Sequence, residues 1–405
     1  MLIAMRILTV HNRYQQPGGE DEVFRAEAEL LERYGNTVSR LVFDNRDIPE
    51  GRSLFGSLNL AGSTIWSRRS AARMSHAVRR LRPDVVHFHN TFPLISPAAY
   101  YACRKMGVPV VQSLHNPRLL CPAATFYRDG HVCVDCLGKA IPWPGILHAC
   151  YHESRGQTAV VAAMLGVHRY LGTWEDKVDI YIVFSEFYRQ KFIAGGLPEE
   201  RVVVKPHFVH PDPGPRQGQA GDYAAFVGRL DAEKGVHTLL RAWRQLPQVP
   251  LRIRGGGNLL GEVKRAIEAE YLSALEVVGR LPREDLVQLV KGARFLVWPS
   301  EGFYETFGLV AIEAFACGVP VIASRLGVMA EITQDGETGL HFVPGDANDL
   351  AVKVEWAWSH PQELRKMGER ARCEYEAKYT AARNYAQLME IYERAIAVAR
   401  GRGMA

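Results

Sequence analysis

Short apolar runs alternate with longer amphipathic stretches along the first half of the chain. The apolar runs predict buried strands at 6–10, 38–43, 84–89, 108–113 and 180–185. The amphipathic stretches predict helices at 20–34, 63–81 and 186–194. Buried strands that alternate with helices are typical of a parallel α/β sheet.

A segment dense in proline and glycine, residues 206–221, interrupts this alternation and predicts an interdomain linker. A second alternation follows, with helices after Leu350 and with strands predicted at 223–227, 251–254, 295–298 and 320–323. We therefore predict an α/β protein of two Rossmann-like domains. In such a protein the domains face each other across a ligand cleft at the carboxyl ends of both sheets.

Length and charge limit the function classes. The chain has 405 residues, and its net charge of +5 divides into +6 over residues 1–205 and −1 over the remainder. That bias is weaker than the dense basic stripe of a nucleic-acid-binding protein, so we expect an anionic small molecule or an anionic membrane surface instead. No apolar run is long enough to cross a membrane, and the start lacks the features of a signal peptide. We expect a cytoplasmic protein.

The predicted helix over residues 63–82 is basic and amphipathic. It would either lie on anionic lipid, placing the protein peripherally at the inner face of the membrane, or be an ordinary surface helix with a solvated basic face. The side chains concerned are Trp66, Arg68, Arg69, Arg73, Met74, Val78, Arg79, Arg80 and Arg82.

Four of the seven cysteines fall within 30 residues of one another, in a segment (117–150) that is predicted to be irregular. They are Cys121, Cys133, Cys136 and Cys150. Four thiolates suit tetrahedral zinc, and the close spacing of Cys133 and Cys136 is typical of zinc knuckles. We predict one structural Zn²⁺; the alternatives are two disulfides, which a cytoplasmic setting disfavours, or buried thiols.

Two glutamates, Glu305 and Glu313, flank the point where a helix is predicted to open after the strand at 295–298. Loop N–H groups and a helix N-terminus can hold an anion there. Two glutamates alone are more often surface residues at the ends of a helix. Arg229 and Lys234 strengthen the case, because they lie on a glycine-bounded turn after the strand at 223–227, where phosphates bind in such sheets.

The N-terminal half offers two weaker candidates. Gly18 and Gly19 come between the first strand and first helix, where backbone N–H groups can approach a phosphate, although a tight turn explains them equally well. His115 follows another strand and would face the same cleft. A lone histidine is as often a structural residue.

Together these residues resemble the retaining GT-B glycosyltransferases of family 4. The resemblance covers most of the chain. It is carried by Gly18 to Glu20, His115, and the segments 183–187, 228–235, 278–281, 299–300, 305–313, 316–323 and 336–340. It departs from the family at Thr306, where the family often has glycine, and at His207 in the linker, where the family often has asparagine. The second departure puts in doubt any role carried over from that asparagine.

The resemblance implies a transferase that moves a sugar from a UDP-, GDP- or ADP-sugar to a hydroxyl of a glycan, lipid or small molecule, with retention of configuration and no cofactor for the chemistry. Catalysis would fall to His115, Arg229, Lys234 and Glu305. The donor would also meet Gly18, Gly19, Arg280, Thr306, Phe307, Gly308, Leu309 and Glu313, with the base near Arg280 and the ribose at Glu313.

The resemblance also implies the domain plan: an N-terminal domain over 1–208, a C-terminal nucleotide-sugar domain over 209–381, and a helix over 382–405 that packs back on the N-terminal domain. The acceptor would be a lipid-linked or polysaccharide intermediate if the protein works in polysaccharide biosynthesis. A sugar-nucleotide epimerase with the same fold is the alternative, which would need further acid and base groups on the sugar face.

Overall fold

A computed structural model describes residues 4–15, 18–48, 54–218, 221–269, 272–279, 281–302 and 305–402. The chain forms two compact units. The N-terminal unit comprises Met1–Thr125, Val134–Lys205 and Tyr385–Ala405. The C-terminal unit comprises Phe126–Cys133 and Pro206–Asn384.

Parallel strands form the sheet of the N-terminal unit, where the described residues include six of them in the order β2-β1-β3-β4-β7-β8. The strands are β1 (Arg6–Arg13), β2 (Thr37–Asp44), β3 (Val85–Phe88), β4 (Val110–Ser113), β7 (Ile180–Val183) and β8 (Val202–Val204). Val10 lies opposite Phe88 and Phe88 opposite Gln112, so β1, β3 and β4 end at one edge. The order reverses between β1 and β3, which is where α/β sheets bind ligands.

Helices α1 to α8 and the C-terminal helix α16 accompany this sheet. They are α1 (Gly19–Arg33), α2 (Leu54–Ile65), α3 (Arg68–Leu81), α4 (Ala98–Lys105), α5 (Trp143–Leu147), α6 (Arg155–Tyr170), α7 (Thr173–Asp176), α8 (Glu186–Ala194) and α16 (Ala381–Arg402). Short 3₁₀ turns lie at Asn45–Asp47 and Glu199–Arg201. From Tyr385 onward α16 belongs to this unit: Tyr392 Oη lies 2.8 Å from His87 Nδ1, and Tyr385 Oη accepts from Asn36.

The C-terminal unit repeats the plan. Its described residues contain a parallel sheet of six strands in the order β11-β10-β9-β12-β13-β14. The strands are β9 (Ala224–Val227), β10 (Leu251–Arg254), β11 (Leu275–Gly279), β12 (Leu296–Trp298), β13 (Val321–Ser324) and β14 (Gly339–Phe342). Their apolar side chains, with those of the flanking helices, form one buried cluster around Trp243, Phe295 and Ile253.

The helices of the C-terminal unit are α9 (Val236–Trp243), α10 (Leu260–Ala269), α11 (Arg283–Gly292), α12 (Leu309–Ala316), α13 (Gly327–Ile332), α14 (Ala347–Ser359) and α15 (Pro361–Lys378), and a 3₁₀ turn lies at Ala232–Lys234. Two Rossmann-like α/β units therefore make up the chain, as the sequence predicts.

The single helix predicted over 63–81 is wrong: it is two helices, α2 and α3, that meet at Trp66 and Ser67. The Ser67 hydroxyl accepts from the Ser70 N–H, which caps the start of α3. Met74 and Val78, predicted on an apolar face of this helix, are buried in the N-terminal unit, whereas its arginines are exposed.

The cysteine-bearing segment 117–150 is more ordered than predicted. It contains an antiparallel pair, β5 (Tyr127–Arg128) and β6 (His131–Val132), and the short helix α5. The hairpin turns at Asp129 and Gly130, both in the left-handed region. Across the described part of the chain, the structure contains no helix long and apolar enough to span a membrane.

Candidate functional site

The loops after β9 and β12 form the centre of the candidate site in the C-terminal unit. These strands are neighbours, with Phe226 opposite Val297, so both end at the same edge of the sheet. Strands β10 and β11 follow β9 on one side of the sheet, and β13 and β14 follow β12 on the other side. The strand order therefore reverses between β9 and β12. Ligands of open α/β sheets bind at that point.

A buried ion pair joins the two loops. Lys234, from the loop after β9, donates a hydrogen bond to Oε1 of Glu305, from the loop after β12. The same oxygen accepts from Ser300 Oγ at 3.2 Å and lies 3.4 Å from Trp298 Nε1. Both side chains of the pair are about one-seventh exposed, at 14% and 15%. The carboxylate is therefore held in place by three donors.

These contacts decide the charge of Glu305. Burial by itself raises the pKa of a carboxyl group, but the Lys234 ammonium and the donors from Trp298 and Ser300 outweigh burial and hold the pKa of Glu305 below its usual range. Glu305 is therefore ionised at neutral pH. An ionised carboxylate is an acceptor that can hold the hydroxyl groups of a sugar.

Arg229 begins the same loop and is held by two acidic neighbours. Its guanidinium lies 2.8 Å from Asp231 Oδ2 and 3.1 Å from Glu233 Oε1. Asp231 is itself fixed, because its Oδ1 accepts from the N–H of Asn258. The Arg229 side chain is half exposed, so it can exchange these carboxylates for an incoming anion at small cost.

Two glycines allow the loops to approach closely. A Cβ on Gly235, which follows Lys234, would lie 1.8 Å from the carbonyl oxygen of Pro299, and one on Gly308 would lie 2.1 Å from the ring of Trp298. Both residues also have positive φ, 71° and 97°, which favours glycine. Gly235 therefore lets the Lys234 loop lie against Pro299, and Gly308 lets the turn before α12 lie against the Trp298 ring.

Helix α12 starts directly after Gly308, so the N–H groups of Phe307, Gly308 and Leu309 lie at its N-terminus beside Thr306. The Phe307 ring is buried against His207 and Tyr379, with ring centroids 5.2 and 5.8 Å away. This packing fixes the turn that presents the helix N-terminus at the same edge of the sheet as Glu305.

Glu313 lies further along α12. Burial raises its pKa, while Arg283 and Arg254 act in the opposite direction. Arg254, at the end of β10, also donates to the carbonyl of Leu281 at 3.3 Å. Arg280, predicted to lie near the base, is outside the described residues.

The glycine turn of the N-terminal unit is arranged around Asp21. The N–H of Gly18 donates to Asp21 Oδ2 at 2.9 Å, and Asp21 Oδ1 lies 2.9 Å from His11 Nε2. Gly18 is the N-cap of α1 and Gly19 its first residue. The Gly18 amide thus already has an acceptor in its own helix, which leaves the amides beyond it to meet an anion.

His115 follows β4 and is buried among aromatic rings. Its Nε2 lies 3.1 Å from Nδ1 of His89, and its ring stacks on His89 and contacts Phe184. His89 follows β3, the neighbour of β4, so the sheet brings the two rings together. The sequence predicts His115 as a site residue but not its histidine partner.

The four cysteines lie outside the helices and strands of the 117–150 segment, where Cys136 Sγ approaches the carbonyl of Pro142 at 3.8 Å. Among the described residues, three or more ligating atoms come within 4.8 Å of one another at Glu27, His87 and His89 rather than at the cysteines. Structural zinc at Cys121, Cys133, Cys136 and Cys150 stays a prediction.

The residues that position the predicted site residues Glu305 and Arg229 are not predicted by the sequence analysis. Trp298 and Ser300 position Glu305, and Asp231 and Glu233 position Arg229. The signal was present in part, since all four lie within seven residues of a predicted site residue.

Two family models match the chain, one on each half. The model of Glycosyltransferase Family 4 matches residues 17–213, and that of Glycosyl transferases group 1 matches residues 217–374. The second match contains every described residue of the candidate site in the C-terminal unit.

Curated relatives match in part. An uncharacterized glycosyltransferase of Methanocaldococcus jannaschii is 33% identical over 176 residues, which are 43% of this chain and 49% of that protein. A D-inositol 3-phosphate glycosyltransferase of a Mycobacterium species is 37% identical over 185 residues, 44% of this chain and 41% of that protein. The chain thus spans half or less of the length of these relatives.

Solved structures match over nearly the whole chain. The structure of the Anabaena protein HepE in complex with UDP has a TM-score of 0.67 and 19% identity, and the match covers 95% of this chain and 99% of that one. At this identity the likeness shows the fold, which is GT-B.

Proposed function

We propose that this chain, which has the GT-B fold of the glycosyltransferase group 1 and family 4 proteins, is a retaining glycosyltransferase that uses a nucleoside-diphosphate sugar. The observation that carries the proposal is the Lys234–Glu305 pair with Arg229 nearby, placed where the strand order of the C-terminal sheet reverses. Two cations and a fixed carboxylate suit a diphosphate joined to a sugar.

In the proposed reaction, the bond between the anomeric carbon of the sugar and the β-phosphate oxygen breaks. A bond to the acceptor hydroxyl oxygen forms on the same face, and the hydroxyl proton passes to the departing phosphate oxygen. Arg229, Lys234 and the N–H groups at the start of α12 meet the charge that develops on the diphosphate. Groups already in place stabilise such charge most effectively.

The remaining roles follow from position. Glu305, held ionised by Lys234, accepts hydrogen bonds from hydroxyls of the transferred sugar, and Glu313 accepts from the ribose. His115 is the catalytic residue proposed in the N-terminal unit. The transfer needs no metal, because side chains and backbone amides supply the positive charge. The epimerase alternative finds no support among the relatives named above.

We propose UDP as the nucleotide to test first, because HepE, which shares the fold, has been solved with UDP and with UDP-glucose. The test is release of nucleoside diphosphate from UDP-, GDP- and ADP-sugars, with and without candidate acceptors. Lys234→Met should slow release on the order of 100-fold, whereas Arg365→Ala, a change at an exposed arginine on α15, should not alter it. An absence of both release and nucleotide binding for every donor would contradict the proposal.

We also propose that the acceptor is carried by an anionic membrane surface. The part of this protein that would contact the lipid is different from the basic helix over 63–82 that the sequence indicates. Ile141, Trp143, Leu147 and Tyr170 are exposed, Tyr170 by 91%. They lie on or beside α5 and α6, which pack together. Lys139 sits 5.6 Å over the Trp143 ring, so a basic group accompanies the apolar ones. Exposed aromatic and basic side chains together suit a lipid interface.

The basic end of α3 adjoins this surface. Trp66 stacks on His168 of α6 at 5.7 Å, and Arg68 and Arg69, both exposed, follow after Ser67. Arg68 and Arg69, two of the arginines predicted to meet lipid, would then act as a basic rim, and the apolar contact would come from α5 and α6.

A further inference from the structure

A line of buried polar side chains lies behind His115 in the N-terminal unit. It consists of Lys205, Glu27, His89 and His115, which we call the buried relay. Lys205 and Glu27 are 0% and 1% exposed, and His89 is 2% exposed. The four residues come from the end of β8, from α1, and from the ends of β3 and β4. Buried charged and polar groups at this depth are costly unless they satisfy each other.

Each member of the relay contacts the next. Lys205 donates to Glu27 Oε1 in a fully buried ion pair. The other carboxylate oxygen, Glu27 Oε2, lies 3.5 Å from His89 Nε2. Within the described residues neither of these two buried atoms has a hydrogen-bond partner, so each faces the other across 3.5 Å. His89 Nδ1 then lies 3.1 Å from His115 Nε2.

The chemistry of these groups determines which atom donates and which accepts at each step of the relay. An ammonium has only donors, so Glu27 accepts from Lys205 and is paired as a carboxylate. A carboxylate has only acceptors, so the His89 nitrogen that faces it carries the proton. Burial lowers the pKa of His89 well below its usual range, so His89 is neutral and has a single N–H. Its Nδ1 is therefore an acceptor.

These donor and acceptor roles determine the tautomer of His115, the last residue of the relay. Because His89 Nδ1 accepts, His115 Nε2 must donate, and in a neutral imidazole the other nitrogen is then unprotonated. We propose that Lys205, Glu27 and His89 are positioning residues that hold His115 in the Nε2–H tautomer, with Nδ1 as the acceptor toward the reacting sugar. The catalytic part of this proposal rests on the proposed glycosyltransferase function, and the tautomer does not.

A metal ion at Glu27, His87 and His89 is a competing use of the same cluster. Both ring nitrogens of His87 have protein partners, Tyr392 Oη at 2.8 Å and Ser113 Oγ at 2.9 Å. Lys205 already occupies one oxygen of Glu27, and its positive charge would repel a cation. The arrangement therefore favours a hydrogen-bonded relay over a metal site.

Glu27→Gln tests the relay with a nearly isosteric change. The new side chain must turn its amide oxygen toward the Lys205 ammonium, which places its NH₂ group opposite His89 Nε2. His89 Nε2 then becomes an acceptor, His89 Nδ1 a donor, and His115 is driven into the Nδ1–H tautomer. His87→Gln is the matched control, because His87 is fully buried on β3, two residues before His89, but its ring nitrogens face Tyr392 and Ser113 and not His115.

The measurement is long-range ¹H–¹⁵N correlation on the full chain labelled with ¹⁵N-histidine, with the His115 signals identified from His115→Asn. We expect an unprotonated Nδ1 at His115 in the wild type and in His87→Gln, and a protonated Nδ1 in Glu27→Gln. No donor or acceptor is needed, so this result is independent of the proposed function. A wild-type His115 with a protonated Nδ1 would overturn the proposal whether or not Glu27→Gln folds.

Activity gives the second measurement, once a donor is found. Loss of an outer partner that orients a functional histidine costs about 10- to 100-fold. We expect Glu27→Gln to lower kcat by that factor and leave KM for the donor unchanged, with His87→Gln close to wild type. An equal loss of kcat in both variants would show general damage to the core and would overturn the positioning role.

Discussion

Lys234 donates to Glu305 across two loops that are 71 residues apart in sequence and that follow neighbouring strands. Each residue also has a proposed part in binding the donor, so the pair connects the phosphate end of the site to its sugar end. Without donor, the positive charge of Lys234 is balanced by Glu305, and a bound diphosphate would share it.

We expect Lys234→Ala and Arg229→Ala each to lower kcat/KM. The loss of transition-state stabilisation should be about 3 kcal/mol, the cost of losing one preorganised donor. Steady-state kinetics with the identified donor is the measurement. Arg365→Ala serves as the control, since its side chain is 81% exposed on α15. Wild-type kcat/KM in either site variant would remove that residue from the diphosphate site.

The pH dependence of Glu305 should change when its partner is removed. In the wild type its lowered pKa contributes stability above the unfolded-state pKa, and this contribution is lost as the pH falls through the folded-state value. In Lys234→Met burial acts without the ammonium, so the pKa should rise. The acid limb of kcat/KM should then move to higher pH. An acid limb at the wild-type pH would show that Lys234 does not control this carboxylate.

Gly308→Ala should destabilise the C-terminal unit. The added Cβ would meet the Trp298 ring, and φ at this position is +97°. We expect a loss of about 1 to 3 kcal/mol, in the range of strained backbone positions. Gly336→Ala is the matched control, with φ of +75° and open space around the new Cβ. Urea unfolding of both variants compares them, and equal losses would mean that the contact with Trp298 contributes nothing.

Membrane binding should depend on the exposed residues of α5 and α6. We expect the protein to sediment with vesicles containing anionic lipid, and Trp143→Ser with Tyr170→Ser to reduce that binding at unchanged thermal stability. Val352→Ser, an exposed apolar residue of α14, is the control. Binding that is negligible on both anionic and neutral vesicles would end the membrane proposal. Loss only on mutating Arg68 and Arg69 would assign the contact to α3.

Zinc at the cysteine segment is tested by metal analysis of protein purified without chelator. We expect one zinc per chain, and Cys133→Ser with Cys136→Ser should release it and lower thermal stability. Cys373→Ser, an exposed cysteine of α15, should do neither. Metal-free protein with all four thiols of the segment titratable in the folded state would leave this segment held by packing and hydrogen bonds.

The architecture was largely predictable, because buried parallel strands leave continuous apolar runs and the linker is rich in proline and glycine. In the two six-stranded sheets the pattern missed β8, β11 and β14, which are all edge strands, and it also missed the two-residue strands β5 and β6. Residues 339–342 start at a glycine that directly follows a turn, so their apolar signal is brief. The predicted helix over 63–81 failed because the Ser67 cap interrupts it where the apolar periodicity continues.

Sequence by itself determined which residue types stand at the strand ends, since Arg229, Lys234, Glu305, Gly308 and His115 follow directly from the strand predictions. Only the tertiary structure decided their partners. Lys234 pairs with Glu305 because parallel strands bring distant loops to one edge. Glu27 meets both Lys205 and His89 because α1 places it beside the ends of β8 and β3. Charge state and tautomer depend on these neighbours within a few ångströms, and strand periodicity carries no information about which loops become neighbours.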